Sequence, residues 1–265
     1  MEGFWSGIGA VLLYFAILAS IALISRVLIK IPDELFRKLL HCILLGSLIP
    51  FVFCFDKWWI SGLTAVGFAI AVYPILAFFE KFKGFSKLTT ERKHGELKHS
   101  LLLVFGMFAA VIGVCWGALG DKWLVLAAVY AWGFGDAAAA LIGKRFGRHK
   151  IHWRIADGHK SYEGTAAMFI VSFGSVLAVL SLRGGMDLLH MVPVALATAA
   201  ASALAELCSK DGADTIICPM CAMSVMLPML QLFGGRAQKV AFLTCCPGDF
   251  YVLYRLTTTL YKDYM

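Results

Sequence analysis

The clearest candidate for a reactive group in this sequence is a carboxylate within an apolar stretch that is followed by cations. Asp136 lies where an ionisable side chain is costly and is by default a functional candidate. Lys144, Arg145 and Lys160 follow it. A carboxylate that holds Mg²⁺ or takes a hydroxyl proton, beside cations that bind phosphate oxygens, is what phosphoryl transfer requires. The residues alone leave open the alternative, a helix-end carboxylate that pairs with a neighbouring lysine.

Small residues flank Asp136 on both sides. Gly133 and Gly135 precede it and four alanines, residues 137–140, follow it. The glycines predict a backbone that bends or comes close to a ligand. The alanines predict close approach of neighbouring helices.

The segment from Ser161 to Thr165 reads Ser-Tyr-Glu-Gly-Thr and is typical of a helix start. Ser161, with Gly164 and Thr165 nearby, is a candidate N-cap, and Glu163 suits the positive end of the helix. A helix start beside Lys160 is also a natural phosphate site. Since Glu163 would repel phosphate, we expect it to bind a metal ion or to pair with Lys160.

Two further groups carry candidate ligands. Glu206 and Asp214, with Asp211 between them, predict a divalent-metal site together with Asp136. The alternative is a solvated loop, which we prefer for Asp211. Earlier in the chain, Arg37 and His41 stand four residues apart on one helix face. They are either a phosphate clamp or ordinary interfacial residues, and composition does not decide between these.

Composition places these residues in a membrane protein. Of 265 residues, 60% are hydrophobic and 15% charged, and the mean hydropathy is +0.78. Soluble domains carry about 25% charged residues. We predict one all-α integral membrane domain over residues 1–265, a polytopic bundle of about eight (seven to nine) helices. The apolar runs are 4–25, 39–55, 58–79, 100–118, 122–142, 164–182, 188–207, 215–233 and, interrupted by Pro247, 238–256.

The connections between these runs predict an orientation. The first, third, fifth and seventh hold seventeen Lys and Arg residues, whereas the even-numbered ones hold five. Because positive loops stay in the cytoplasm, the N-terminus is expected outside the cell or in the lumen of an endoplasmic-reticulum-type membrane. We therefore expect cytoplasmic catalytic loops at about 26–38, 80–99, 143–163 and 208–214. Many of their cations are expected only to contact anionic lipid headgroups.

Three motifs in order resemble the superfamily of dolichol kinases, phytol kinases and CTP-dependent diacylglycerol kinases. The motifs are Arg37-Lys38-Leu-Leu-His41; Gly135-Asp-Ala with Gly-Lys-Arg-Phe-Gly and Lys160-Ser-Tyr-Glu-Gly-Thr165; and Ala205-Glu206 through Asp214 and Pro219. Together they span about residues 37–220. One departure is Thr215, where the family usually has Asn, at a position that bears on the metal or nucleotide preference.

The resemblance implies a polytopic kinase that moves the terminal phosphate of CTP, or of another nucleotide, to a lipid hydroxyl. It implies Asp136 and Lys160 in a nucleotide and Mg²⁺ site, with Lys144, Glu163, Gly164, Glu206 and Asp214 as neighbours. Dolichol-like polyprenols, phytol-like alcohols and diacylglycerol all present such a hydroxyl. The sequence does not choose among these acceptors, between CTP and ATP, or among oligomeric states.

Two other functions remain as alternatives. A phosphatidate cytidylyltransferase, which makes CDP-diacylglycerol, also uses CTP, but its usual C-terminal signature of a Lys-Asp pair, His-Gly-Gly and Asp-Arg-x-Asp is not found here. The second alternative is a lipid transporter or scaffold that catalyses no reaction. Transporters often contain two repeated halves, and no such repeat is visible in this sequence. The phosphate-binding loop of soluble kinases is missing from the sequence. The net charge of +7 is spread over loops and does not predict nucleic-acid binding.

Overall fold

The chain folds as a bundle of helices. The computed structural model describes residues 2–29, 31–81, 95–151, 160–209 and 212–233, and these contain no strand. A π-helical segment, Ile112–Ala118, continues α5. The helices are α1 (Glu2–Leu28), α2 (Asp33–Gly46), α3 (Leu48–Phe53), α4 (Trp58–Phe79), α5 (Glu96–Val111), α6 (Lys122–Phe146), α7 (Tyr162–Arg183), α8 (Leu188–Cys208) and α9 (Asp214–Phe233).

Eight helical segments within the described residues are long and apolar enough to cross a membrane, with α2 and α3 counted as one. This confirms the predicted all-α membrane bundle. The ninth apolar run, 238–256, lies outside the described residues, as do residues 82–94 of the third connection. The expectation that the third connection is catalytic stays a prediction.

Helix α2 differs most from its predicted apolar run. It begins at Asp33, six residues before the run at 39, because a polar first turn is helical without being apolar. The run also divides into α2 and α3 at Ser47. Pro50, which has no amide hydrogen, cannot bond the carbonyl of Gly46, and this accounts for the division.

Helix α6 lies at the centre of the bundle. Its residues from Leu124 to Gly133 are buried without interruption. It packs most extensively on α7 and also contacts α2, α8 and α9. A residue on the second half of α6 is therefore held by several other helices, and this is where Asp136 lies.

Glycines bring α6 and α7 together. A methyl group added at Gly164 would lie 3.0 Å from the carbonyl oxygen of Ala139 and 3.3 Å from the Cα of Gly143. The prediction that the alanines permit close helix approach is thereby confirmed at Ala139. Helix α6 runs unbroken through Gly133 and Gly135. Those two glycines instead make room for side chains of α2 and α7.

Candidate active site

A cavity of about 570 Å³ opens at the end of the bundle where α2 and α7 begin and α6 and α8 end. It brings together residues from all three sequence motifs, which lie far apart in the chain. Eight of the predicted site residues line it: Arg37, Asp136, Lys144, Lys160, Ser161, Gly164, Thr165 and Glu206. Its other lining residues are Glu34, Lys38, Ala139, Ala140, Gly143 and Lys150.

Asp136 forms an ion pair with α2. The Nζ atom of Lys38 donates to its Oδ2 atom at 2.7 Å, and the Lys38 side chain is only 10% exposed. His41 Nε2 lies 3.8 Å from the same oxygen and 3.2 Å from the carbonyl oxygen of Gly133. Because removal of one partner from a buried pair leaves the other charge uncompensated, Lys38 and Asp136 depend on each other.

Lys160 joins the start of α7 to the end of α8. Its Nζ atom donates to the carbonyl oxygen of Glu206, to that of Ser209 at 3.0 Å, and lies 3.1 Å from the Glu206 carboxylate. The last carbonyls of a helix have no partner within the helix. Lys160 therefore caps α8 with the same ammonium group that faces the cavity.

Ser161 is the N-cap of α7, as predicted, since its hydroxyl accepts from the amide of Gly164 at 3.2 Å. Just before it, the amide of Ile151 donates to the carbonyl of Lys160 at 3.0 Å, and that of Tyr162 to the carbonyl of His149 at 3.1 Å. These two bonds join residues 149–151 to residues 160–162. They thereby hold residues 150 and 160 beside one cavity.

Glu163 has a different partner from the one expected. It accepts from the ring Nδ1 of His149 at 2.7 Å and from the amide of His149 at 3.2 Å. Of the two roles expected for Glu163, the pairing with Lys160 is not found, because the backbone bonds before α7 place His149 over its first turn while Lys160 turns to Glu206. Metal binding by Glu163 stays a prediction.

Three charged residues form the rim of the cavity. Glu34 accepts from Nη2 of Arg37 at 2.5 Å and from Nζ of Lys144 at 3.2 Å. The Lys144 side chain is 67% exposed, whereas that of Glu34 is 14% exposed. The rim thus links the first turn of α2 to the last turn of α6.

The carboxylates proposed for a metal ion lie near one another. Asp136 and Glu206 line the same cavity, and Asp214 accepts at 3.5 Å from Nε1 of Trp132, which lies one turn before Asp136 on α6. In the part of the chain that the structure describes, no three His, Cys, Asp or Glu residues are grouped as a preformed site. Mg²⁺ commonly uses one or two carboxylates plus substrate phosphates, so the oxygen donors present fit that ion. Asp211 lies outside the described residues.

Five predicted residues are not on the cavity wall. Gly135 faces Ser172 and Met168 of α7, and Arg145 is exposed over the ring of Phe146. His41, Glu163 and Asp214 lie near lining residues without contributing to the wall themselves.

Sequence reasoning did not select Glu34, Lys38 or Lys150. Glu34, Arg37, Lys38 and His41 stand at positions i, i+3, i+4 and i+7, which is one face of a helix. That spacing could have identified Glu34 and Lys38 as site residues. They lie before the apolar run, in a polar part of the helix that hydropathy does not detect. Lys150 joins the cavity through the backbone bridge to Ser161, and no local pattern predicts such a contact.

Comparison with known proteins assigns the family. The chain is 31% identical over 231 residues to a phytol kinase from Synechocystis sp., and the match covers 82% of this chain and 88% of that protein. The chain belongs to the phytol and polyprenol kinase superfamily. It is therefore a membrane-embedded member of a kinase superfamily whose acceptors are lipid alcohols. No protein-family model and no solved structure matches the chain.

Proposed function

We propose that this protein transfers the terminal phosphate of CTP to the hydroxyl group of a lipid alcohol. The acceptor would be a polyprenol or dolichol, a phytol-like alcohol, or diacylglycerol. The observation that supports this most is the cavity in which Asp136, Lys38, Lys160 and Glu206 meet, in a chain of this kinase superfamily. A hydroxyl at the membrane interface and a nucleotide from the aqueous side both have access to such a position.

The proposed reaction is an in-line displacement at the γ-phosphorus. The acceptor oxygen forms a bond to that phosphorus while the bond to the oxygen bridging to the β-phosphate breaks, and the nucleoside diphosphate leaves. The hydroxyl proton passes to the carboxylate of Asp136. Lys38 orients that carboxylate through the 2.7 Å contact, and Lys160 provides positive charge for the phosphate oxygens.

A divalent cation, Mg²⁺ in the first instance, belongs to this proposal. Glu206, with Asp214 nearby, would hold it, and Asp136 would be a further ligand only if another carboxylate took the hydroxyl proton. Its contribution when bound would be to neutralise charge on the phosphates. Each of the three carboxylates already has a cation or N–H donor within reach, so the protein stabilises these charges by itself.

We also propose that the cavity faces the cytoplasm. The cavity residues come from the first and fifth connections and from the helix ends beside the first, fifth and seventh, which belong to the positively charged set. Nucleotides are supplied from that side, and the exposed cations there would contact anionic lipid headgroups.

Label transfer tests the proposal. Purified protein in vesicles would receive CTP labelled at the γ- or the α-phosphate, with ATP as the competing donor and with phytol, a polyprenol, diacylglycerol or phosphatidate as acceptor. We expect γ-label on one of the alcohols. α-Label on phosphatidate would instead make the protein a cytidylyltransferase, and no transfer from either nucleotide with Mg²⁺ or Mn²⁺ would favour a transporter or scaffold.

A further inference from the structure

Glu34 is a carboxylate placed among cations at the mouth of the cavity. Its two oxygens accept from different helices, Oε1 from Arg37 of α2 at 2.5 Å and Oε2 from Lys144 of α6 at 3.2 Å. Its side chain is 14% exposed, so it points into the protein and not into bulk water. Glu34 therefore spans the rim and draws two positive groups onto one negative group.

The two helix ends at the rim favour the position of Glu34. Asp33 and Glu34 lie in the first turn of α2, where the helix dipole favours negative charge, and Lys144 lies in the last turn of α6, where it favours positive charge. Both helix ends meet at the rim. The pair with Lys144 is thus supported by the helices that carry it as well as by its own attraction.

A phosphate group would require the same donors. Arginine and lysine N–H groups bind phosphate oxygens as they bind carboxylate oxygens, and a phosphate brings more negative charge. A polyanion in the cavity and the Glu34 carboxylate would repel each other across Arg37 and Lys144. Binding of the polyanion must then either displace Glu34 or be weakened by it.

We propose that Glu34 is an internal competitor for the nucleotide phosphates. It occupies Arg37 and Lys144 while the cavity holds no nucleotide, gives up those donors on binding, and thereby lowers nucleotide affinity. This inference rests on the proposed function, because it takes the cavity as the nucleotide site. It gives the enzyme a carboxylate whose contribution is to ease nucleotide exchange.

Binding measurements on the full-length protein in detergent test the inference apart from catalysis. The variant is Glu34→Gln, which keeps size and hydrogen bonding while it removes the charge. The matched control is Asp33→Asn, because Asp33 is adjacent, exposed and paired with Arg26 outside the cavity. Inorganic tripolyphosphate and CTP are the probes, and calorimetry gives the Kd.

We expect Glu34→Gln to bind tripolyphosphate and CTP about three- to tenfold more tightly, which is the effect of removing one partly screened charge repulsion. Asp33→Asn should stay within about twofold of the wild type, and the gain should shrink at high salt. Weaker binding by Glu34→Gln would overturn the inference, since Glu34 would then be holding Arg37 and Lys144 in place for the ligand. Equal binding would also overturn it.

A third probe separates nucleotide from lipid phosphate. A short-chain alkyl monophosphate carries the headgroup of a phosphorylated lipid, and its affinity should change less than that of tripolyphosphate. A larger change would assign Glu34 to the phospholipid product and contradict the proposal. Label transfer by the wild type decides the proposed function separately: transfer without tighter binding by Glu34→Gln would reject this inference alone, and no transfer by the wild type would reject the function.

Discussion

At the residue scale, the site consists of charges that neutralise one another between helices. Lys38 pairs with Asp136 at 2.7 Å and Lys160 with Glu206 at 3.1 Å, and the four side chains are each less than one-fifth exposed. Such pairs contribute little net stability but are costly to break. They place cations and carboxylates side by side at one end of the bundle, as phosphoryl transfer requires.

Lys160 should influence nucleotide use and stability together. In Lys160→Met the carbonyls of Glu206 and Ser209 lose the ammonium donor, while that of Glu206 keeps the amide and hydroxyl of Ser209, so we expect a loss of about 1–3 kcal/mol in the free energy of unfolding. The KM for the nucleotide should rise about tenfold or more, as for the loss of one charged phosphate contact, while the KM for the alcohol changes little.

The control for Lys160 is Lys57→Met, which removes an exposed lysine just before α4 that does not line the cavity. Steady-state kinetics in vesicles and thermal unfolding in detergent give the two readouts. An unchanged nucleotide KM in Lys160→Met, with lowered stability, would reduce Lys160 to a cap of α8.

The sequence identified the chemistry of single residues better than their partners. Asp136, Lys160 and Glu206 were predicted from the energetic cost of a charge in an apolar stretch and from the motifs, and they line one cavity. Glu163 pairs with His149 and not with Lys160, because these partners depend on backbone bonds between residues 149–151 and 160–162, and no local sequence pattern predicts those bonds.

At the element scale, the crossing of α6 and α7 fixes the distance between Asp136 and the start of α7. Gly164 allows the crossing, since an added Cβ would lie 3.0 Å from the Ala139 carbonyl. We expect Gly164→Ala to lower the free energy of unfolding by about 1–3 kcal/mol and to reduce transfer, because the backbone carbonyl cannot move aside easily.

The matched control is Gly174→Ala on the same helix. An added Cβ there meets nothing within 4 Å, so the substitution should leave stability unchanged or raise it slightly through helix propensity. Chemical denaturation and the transfer assay would be run on both variants. Equal behaviour of the two would show that the crossing tolerates a methyl group and does not position the site.

Helix positions were predictable from hydropathy and helix ends were not. The run 58–79 coincides with α4, whereas α2 begins six residues before its run. The segment before the run holds Glu34 and Lys38, which sequence reasoning did not select, as well as Arg37, which it did. Polar residues in the first turn of a membrane helix are stabilised by partners on other helices, and an apolar window cannot detect those partners.

At the scale of the whole molecule, charge is distributed unevenly between the two ends of the bundle. The candidate site occupies one end, and the pair of Asp121 with Arg183, at 2.6 Å, lies at the other. The positive-inside rule predicts that the site end faces the cytoplasm. A cysteine introduced by Arg148→Cys should then react with an impermeant thiol reagent only from the cytoplasmic side, and one introduced by Asp187→Cys only from the opposite side.

Sealed vesicles of both orientations would be used, with a parent chain that lacks the exposed Cys54 and Cys208 as the blank. Reversed labelling would place the cavity outside the cytoplasm. The helical membrane bundle would stand, but the proposed source of the nucleotide would have to be abandoned.

The most direct test of the central claim is the transfer activity of Asp136→Asn. The claim is that phosphate transfer to a lipid alcohol takes place in this cavity and requires Asp136. Transfer of γ-label per folded molecule would be compared with the wild type and with Asp121→Asn, which removes a carboxylate at the opposite end. We expect Asp136→Asn to lose on the order of 10²-fold or more while the protein stays folded in the membrane, and Asp121→Asn to retain turnover. Normal turnover in folded Asp136→Asn would contradict the account of the site.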